Sequence, residues 1–378
     1  MVYLDSAATT FVLPEAAQAA LTAMTEQWYN PSGRYAAAVP AAKKLEADRS
    51  DIAKALGCQS NELVFTSCGT ESDNWALRMG AQLGRRRGRH IITTAMEHAA
   101  VLETCKDLEK EGWEVTYLPP TSEGTVSLED LQAALRPDTV LVSMMLVNNE
   151  LGSVLPVQEA CRMVKAFDRR ILFHTDAVQA FLKVPFTARS LGVDLLSLSG
   201  HKVHAPKGIG ALYIRSGLRL PALLTGGGQE KGLRSGTEPT AQIAAFAEAV
   251  RQCSASAKTD REHIAALKQY TLEKLAESIP IVEEIVHGDA PHILALSLPG
   301  YKAEVLVRVL GDRGVCVSAG SACHRGKPSH VYAALGLSKP RRDGAFRVSF
   351  DRSTTASDID TFVAELVQAK DSLFPTMS

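Results

Sequence analysis

The chain has no Cys-x-x-Cys pair, no long apolar run and no surplus of charge, and each absence removes a class of function. Its seven cysteines, at 58, 68, 105, 161, 253, 316 and 323, are odd in number and widely spread. That argues against a disulfide framework and against a closed zinc site, so no metal is expected. No stretch approaches the roughly 20 apolar residues that cross a bilayer. Met1-Val-Tyr-Leu-Asp5 also lacks the basic and apolar regions of a signal peptide. The expectation is a cytoplasmic protein without a membrane partner. Lys plus Arg (41) nearly balances Asp plus Glu (42), so no global field draws nucleic acid. The densest basic run, Arg85-Arg-Arg-Gly-Arg89, reads as a solvated loop. Aromatic residues make up only 6%, against 46% apolar residues overall, as in ordinary globular chains.

At roughly 150 residues per domain, 378 residues suggest two or three domains. A short strand at Val2 to Leu4 precedes a helix at Pro14 to Met24, with proline in its first turn, and another at Ala41 to Leu56, closed by Gly57. Strands and helices then alternate. Strands are expected at Glu62 to Thr66, His90 to Thr93, Val115 to Tyr117, Val140 to Leu146 and Ile171 to His174. Helices are expected after Glu71, at Ala99 to Glu111, at Leu128 to Ala134 and between the last two strands. Alternation with nearly continuous apolar strands predicts a mixed, mainly parallel sheet covered on both faces. Past Thr240 the pattern changes to helical stretches at Ala241 to Cys253 and Arg261 to Ser278. Strands at Leu294 to Leu298, Val315 to Ser318 and Phe346 to Phe350 follow, with helices at Ala303 to Leu310 and Ala356 to Leu373. This predicts a smaller α+β domain. The division expected is 14–250 for a large domain, with 1–13 and 251–378 forming the small one.

Two strand-like runs carry the chemistry. Phe173-His-Thr-Asp-Ala-Val-Gln179 ends in a carboxylate, and Leu195-Leu-Ser-Leu-Ser-Gly-His-Lys202 ends in an amine. Strand C-terminal ends form the ligand crevice of a parallel α/β sheet, so Asp176 and Lys202 can face one bound cofactor. Pyridoxal phosphate needs such a pair, a lysine for its aldehyde and an acid for its ring nitrogen. Taken singly, a helix-capping aspartate and a surface lysine are the better reading of each. Thr66-Ser-Cys-Gly-Thr-Glu-Ser-Asp-Asn74 follows a strand and opens a helix, where free amides favour phosphate, with Gly69 and Thr70 as candidates. His98 follows a strand and could stack on a cofactor ring and move protons. Asn149 stands at the same rim. Ser199 and His201 flank Lys202, and Gly226 to Thr237 is a glycine-rich stretch that supplies further donors.

These motifs, with Tyr3-Leu-Asp-Ser-Ala-Ala-Thr-Thr10, Asn30-Pro-Ser32, Gly320-Ser-Ala-Cys323 and Arg347-Val-Ser349, run nearly end to end. In order and spacing the chain resembles cysteine desulfurases of the NifS/IscS-like class, within the class V aminotransferases of PLP fold type I. The resemblance implies a large domain built on a seven-stranded, mainly parallel sheet. It implies Lys202 as the Schiff-base lysine, Asp176 on the pyridinium nitrogen, Gln179 and Asn149 near the ring oxygen, and His98 stacked on the ring. Gly69, Thr70, Ser199 and His201 would hold the phosphate. Thr237 would reach the phosphate of a partner subunit in a homodimer. Cys323 would be the nucleophile that takes sulfur from L-cysteine as a persulfide, leaving alanine, and Arg347 would bind the substrate carboxylate. A sulfur-acceptor protein is implied, either an iron–sulfur scaffold or a tRNA-thiolation enzyme.

Some features depart from the class. The stretch from Cys323 to Pro328 is shorter than usual, and Gly33-Arg-Tyr35 replaces the common pattern after Asn30-Pro-Ser32. The chain stops at Ser378 without the extension used to dock an iron–sulfur scaffold, so that partner is not carried over. Rival readings are a selenocysteine lyase, a class V aminotransferase, and a regulator that keeps the fold without turnover.

Overall fold

The computed structural model describes residues 1–320 and 329–375. Its largest sheet has seven strands, in the spatial order Leu63–Thr66, Gly210–Ile214, Leu195–Ser199, Leu172–Asp176, Thr139–Ser143, His90–Thr94 and Glu114–Leu118. The last five of these run parallel, and Gly210–Ile214 is antiparallel to both neighbours. Every residue of the five central strands is buried, as expected where helices cover both faces. The expected mixed, mainly parallel sheet is therefore present. Because neighbouring parallel strands point the same way, their C-terminal ends share one rim, and the loops leaving them build one crevice.

A three-stranded antiparallel sheet joins Glu283–Glu284, Ile293–Ser297 and Ala345–Ser349. Val2–Tyr3 pairs in parallel with Val315–Cys316. The main core wraps the large sheet, while a second cluster gathers Leu4, Leu296, Leu306, Phe346, Phe362 and their neighbours.

Some sequence expectations need correction. The two helices expected at Ala241 to Cys253 and Arg261 to Ser278 are one helix, Thr240–Ser278. The intervening residues contain neither glycine nor proline, and Thr259 Oγ1 and Ser256 Oγ return their hydrogen bonds to the same helix, the first to the Ser256 carbonyl and the second to Asp260. The helix places Ile243 to Cys253 in the first core and Ile264 to Leu275 in the second, so one strut serves both. The strand Gly210–Ile214 and the short helices His330–Ala334 and Lys339–Asp343 are not delimited by the sequence pattern. The strand expected at Val140 to Leu146 ends as a sheet strand at Ser143, although Met144 and Leu146 still donate to the carbonyls of His174 and Asp176. Among the described residues no helix is long and apolar enough to cross a membrane.

Candidate active site at the strand ends

A cavity of about 220 Å3 opens on the rim of the large sheet. Of the twelve residues singled out in the sequence, ten line it: Gly69, Thr70, His98, Asn149, Asp176, Gln179, Ser199, His201, Lys202 and Arg347. Thr237 lies apart, in a second hollow of about 210 Å3 with Thr66, Ser67, Glu230 and Arg234. Cys323 lies outside the described residues.

Lys202 ends a short 3-10 turn, Gly200–Lys202, directly after the strand Leu195–Ser199. Its ammonium donates to the backbone carbonyls of Ala7 and Ala8 at 2.7 and 2.8 Å. Gln179 Nε2 donates to the same Ala7 carbonyl at 2.8 Å, leaving Gln179 Oε1 buried and unpartnered. The segment around Ala7 is anchored in turn, because the Ala7 amide donates to Ser349 Oγ and the Thr10 amide donates to the His201 carbonyl. A loop remote in sequence thus fixes the lysine.

Asp176 is the last residue of its strand, and one of its oxygens accepts from the Val178 amide at 2.8 Å. Burial raises its pKa, and the Val178 bond and the Lys202 charge work against that rise. Asp73, one turn into the helix Gly69–Gly84, lies behind it at 1% exposure. Burial pushes the Asp73 pKa well up, and the charge of Asp176 adds to the push. Asp176 has a cation and an amide for company, whereas Asp73 has mostly like charges, so the negative charge settles on Asp176 and Asp73 keeps its proton. His174 Nε2 lies 3.6 Å from Asp73, and burial lowers its pKa to about 3, so it is neutral. Its ring nitrogens meet Ser143 and Ser197 at 2.9 and 3.0 Å.

Glu97 and His98 follow the strand His90–Thr94. Glu97 is buried, accepting from Thr94 Oγ1 and the Met145 amide, and burial raises its pKa to about 8. It is a protonated structural acid at neutral pH. His98 caps the helix Ala99–Lys110, its Nδ1 accepting from the Ala100 amide at 3.1 Å. That bond leaves the proton of the neutral ring on Nε2. Burial, helped by the Lys202 charge, lowers the pKa of His201 to about 4, and its ring meets Thr9 Oγ1 at 3.2 Å.

Asn148 shapes the turn before Asn149. Its amide donates to the Met96 carbonyl, and its oxygen accepts from the amides of Glu150 and Leu151. The Asn149 carbonyl accepts from Arg347 at 2.6 Å, and Arg347 also donates to Asp5 at 2.8 Å. Arg347, at 2% exposure, comes from the small sheet and is the one side chain that sheet lends to the cavity. Both terminal nitrogens of its fork are already engaged, so a ligand carboxylate would meet its remaining N–H groups. Asp5, Ala7, Ala8 and Asp73 were not singled out in the sequence. A backbone carbonyl carries no residue-type signal, and Asp5 and Asp73 reveal themselves only by what they face.

The donor set suits pyridoxal phosphate. The hydroxyl of Ser199 is buried and unpartnered beside the amino end of a 16-residue helix, where unpaired amides favour phosphate. Gly69 opens that helix, and a Cβ there would meet Val178 Cγ2 at 2.8 Å, so only glycine allows the close approach. A ring-nitrogen partner, an amine and unsatisfied polar atoms around one cavity are what the cofactor requires.

The chain is similar to several known proteins along nearly its whole length. The profile described as aminotransferase class-V matches residues 2–362. A curated protein from Clostridium botulinum, cysteine desulfurase IscS, is 39% identical over 372 residues, covering 97% of this chain and 93% of its own length. A solved structure described as NIFS-LIKE PROTEIN superposes with a TM-score of 0.93 at 36% identity, covering 98% of this chain and all of that one. Another, described as SspA in complex with cysteine, has a TM-score of 0.81 at 35% identity and covers 94% of this chain and 100% of its own.

Proposed function

The chain belongs to the class-V aminotransferase family, and from that premise and the pocket we propose that it is a PLP-dependent cysteine desulfurase that converts L-cysteine to L-alanine. The observation that carries the reading is the meeting of Lys202 and Asp176 in one cavity, which Gly69, Thr70 and Ser199 also line. The similar SspA structure, which holds cysteine, supports the substrate.

When bound there, pyridoxal phosphate supplies an electron sink that acidifies the Cα of the amino acid. The residues of the chain do the rest. Asp176 holds the ring nitrogen protonated. His98 would lie against the ring, and Gln179, oriented by the bond from Nε2 to the Ala7 carbonyl, would offer its second Nε2 N–H to the ring oxygen. Lys202, held by two carbonyls, is the covalent tether and the base that moves the Cα proton. Arg347, steadied by Asp5 and the Asn149 carbonyl, takes the substrate carboxylate. Cys323, as thiolate, attacks the substrate sulfur. The balance is cysteine plus a Cys323 thiol giving alanine plus a Cys323 persulfide, with no external oxidant.

We further read the assembly as a homodimer. Leu21, Met24, Trp28, Tyr35 and Val39 are large apolar side chains left at least half exposed or nearly so, which suits burial against a second copy. The position of Thr237, away from its own rim, suits service to the partner's cofactor. The persulfide then passes to an acceptor protein of an iron–sulfur or thio-modification pathway.

Alanine release from L-cysteine by the cofactor-loaded protein tests the reading. The wild type should release alanine and carry a persulfide on Cys323, and Cys323→Ser should do neither. Full activity of that variant on cysteine would overturn the persulfide role, and turnover of selenocysteine alone would favour a selenocysteine lyase.

A further inference from the structure

Lys202 also lines a second, smaller cavity of about 50 Å3, walled by Lys183, His204, Cys253, His292 and Asp351, with Asp260, Arg261 and Arg352 half-buried around it. Three nitrogen atoms are buried there without a hydrogen-bond partner among the described residues: Nζ of Lys183 and both ring nitrogens of His292. His292 is 1% exposed. Burying an ammonium or imidazole without a partner is unfavourable, so native structures rarely leave three such atoms in one place.

The charges do not close among the lining residues. Asp351 already accepts from Ser6, Ser353 Oγ and the Ser353 amide, and Asp260 accepts from Ser256 and faces Arg352 at 3.6 Å. The basic side chains Lys183, Lys202, Arg261 and Arg352 outnumber these two acids. Burial lowers the Lys183 pKa to about 8, with Asp351 opposing the fall. Burial also pushes His292 well down, and the positive charges of Lys183, Lys268, Arg347 and Lys202 push the same way. The region therefore presents a positive field, N–H donors and no free carboxylate among its described lining residues.

The backbone gives a second, independent sign. Only four non-glycine residues among those described have positive φ, and two of them, Leu182 at 63° and His204 at 64°, line this cavity. Left-handed backbone at non-glycine residues is unfavourable and concentrates at ligand clamps.

We propose that this cavity binds one small, singly charged inorganic anion of halide size, held by Lys183 Nζ and a ring N–H of His292. At about 50 Å3 the void is far smaller than the 220 Å3 cavity on the rim, which suits a small anion rather than a cofactor-sized ligand. The site adjoins the proposed reaction centre through Lys202, which lines both cavities.

Crystals of the cofactor-loaded protein, grown with bromide replacing chloride, test it by anomalous diffraction at the bromine edge. The expected result is a peak in contact with both Lys183 Nζ and His292 in the wild type, lost in Lys183→Met. A site filled by water without anomalous signal overturns the proposal, as does a peak that survives Lys183→Met. If that variant fails to fold, the presence or absence of the wild-type peak decides alone.

Discussion

The two sheets lend different things to one cavity. The seven-stranded sheet supplies, at adjacent strand ends, the groups whose protonation matters, Asp176 and Lys202, backed by Asp73 on a covering helix and by buried Glu97 and His174. The three-stranded sheet supplies Arg347, a group of fixed charge, wired to Asp5 and the Asn149 carbonyl. The difference teaches a division of labour. On the proposed reading, proton chemistry rests on parallel strand ends, whose burial moves pKa values, and substrate holding rests on a permanently charged fork.

The largest break in that comparison should come from Lys202→Ala, expected to lower kcat for alanine release by about 10⁴-fold, since base and tether go together. Retention of more than a small fraction of wild-type turnover would remove Lys202 from the proton step. Asp176→Asn keeps the Val178 bond but loses the charge, and kcat should fall by about 10²–10³-fold with little change in KM. Arg347→Lys should do the reverse, raising KM for cysteine roughly 10-fold while kcat changes by less than about threefold. A collapse of kcat with unchanged KM would erase the proposed division.

A further measurement sharpens it on the stability side. In the folded protein the Glu97 pKa is raised from 4.5 to about 8 by burial. An unfolded Glu97 ionises near 4.5 while the folded one keeps its proton, so wild-type stability falls as pH rises between those two values. Glu97→Gln mimics the protonated acid and has no such titration. Denaturant unfolding should therefore show wild type losing ground to Glu97→Gln from about pH 5 to about pH 8, by on the order of a few kcal/mol. A constant difference across that range would mean that Glu97 is ionised in the fold.

Much of the rim was legible because strand ends leave a pattern. Apolar runs that stop at a carboxylate or a lysine located Asp176 and Lys202, and the strand-to-helix turn located Gly69. What escaped depends on contacts between distant segments. The carbonyls of Ala7 and Ala8 that seize Lys202 are set by tertiary packing, and no side-chain pattern encodes them. The same holds for Asp5 opposite Arg347, 342 positions apart. The break expected near Ser254 to Asp260 is absent because a run of polar residues does not interrupt a helix, whose continuity there needs only the absence of glycine and proline.

The strap formed by residues 4–10 carries a consequence for the order of biosynthesis. Its amides and carbonyls meet residues 201–204 and 347–351, so a segment made well before its partners is among the last to find its place. Until the segment near residue 350 emerges, the reactive amine lacks part of its harness. The nascent polypeptide is thus expected to acquire its cofactor only once the thread is drawn closed, a timing that pulse-labelling with stalled chains of graded length can read directly.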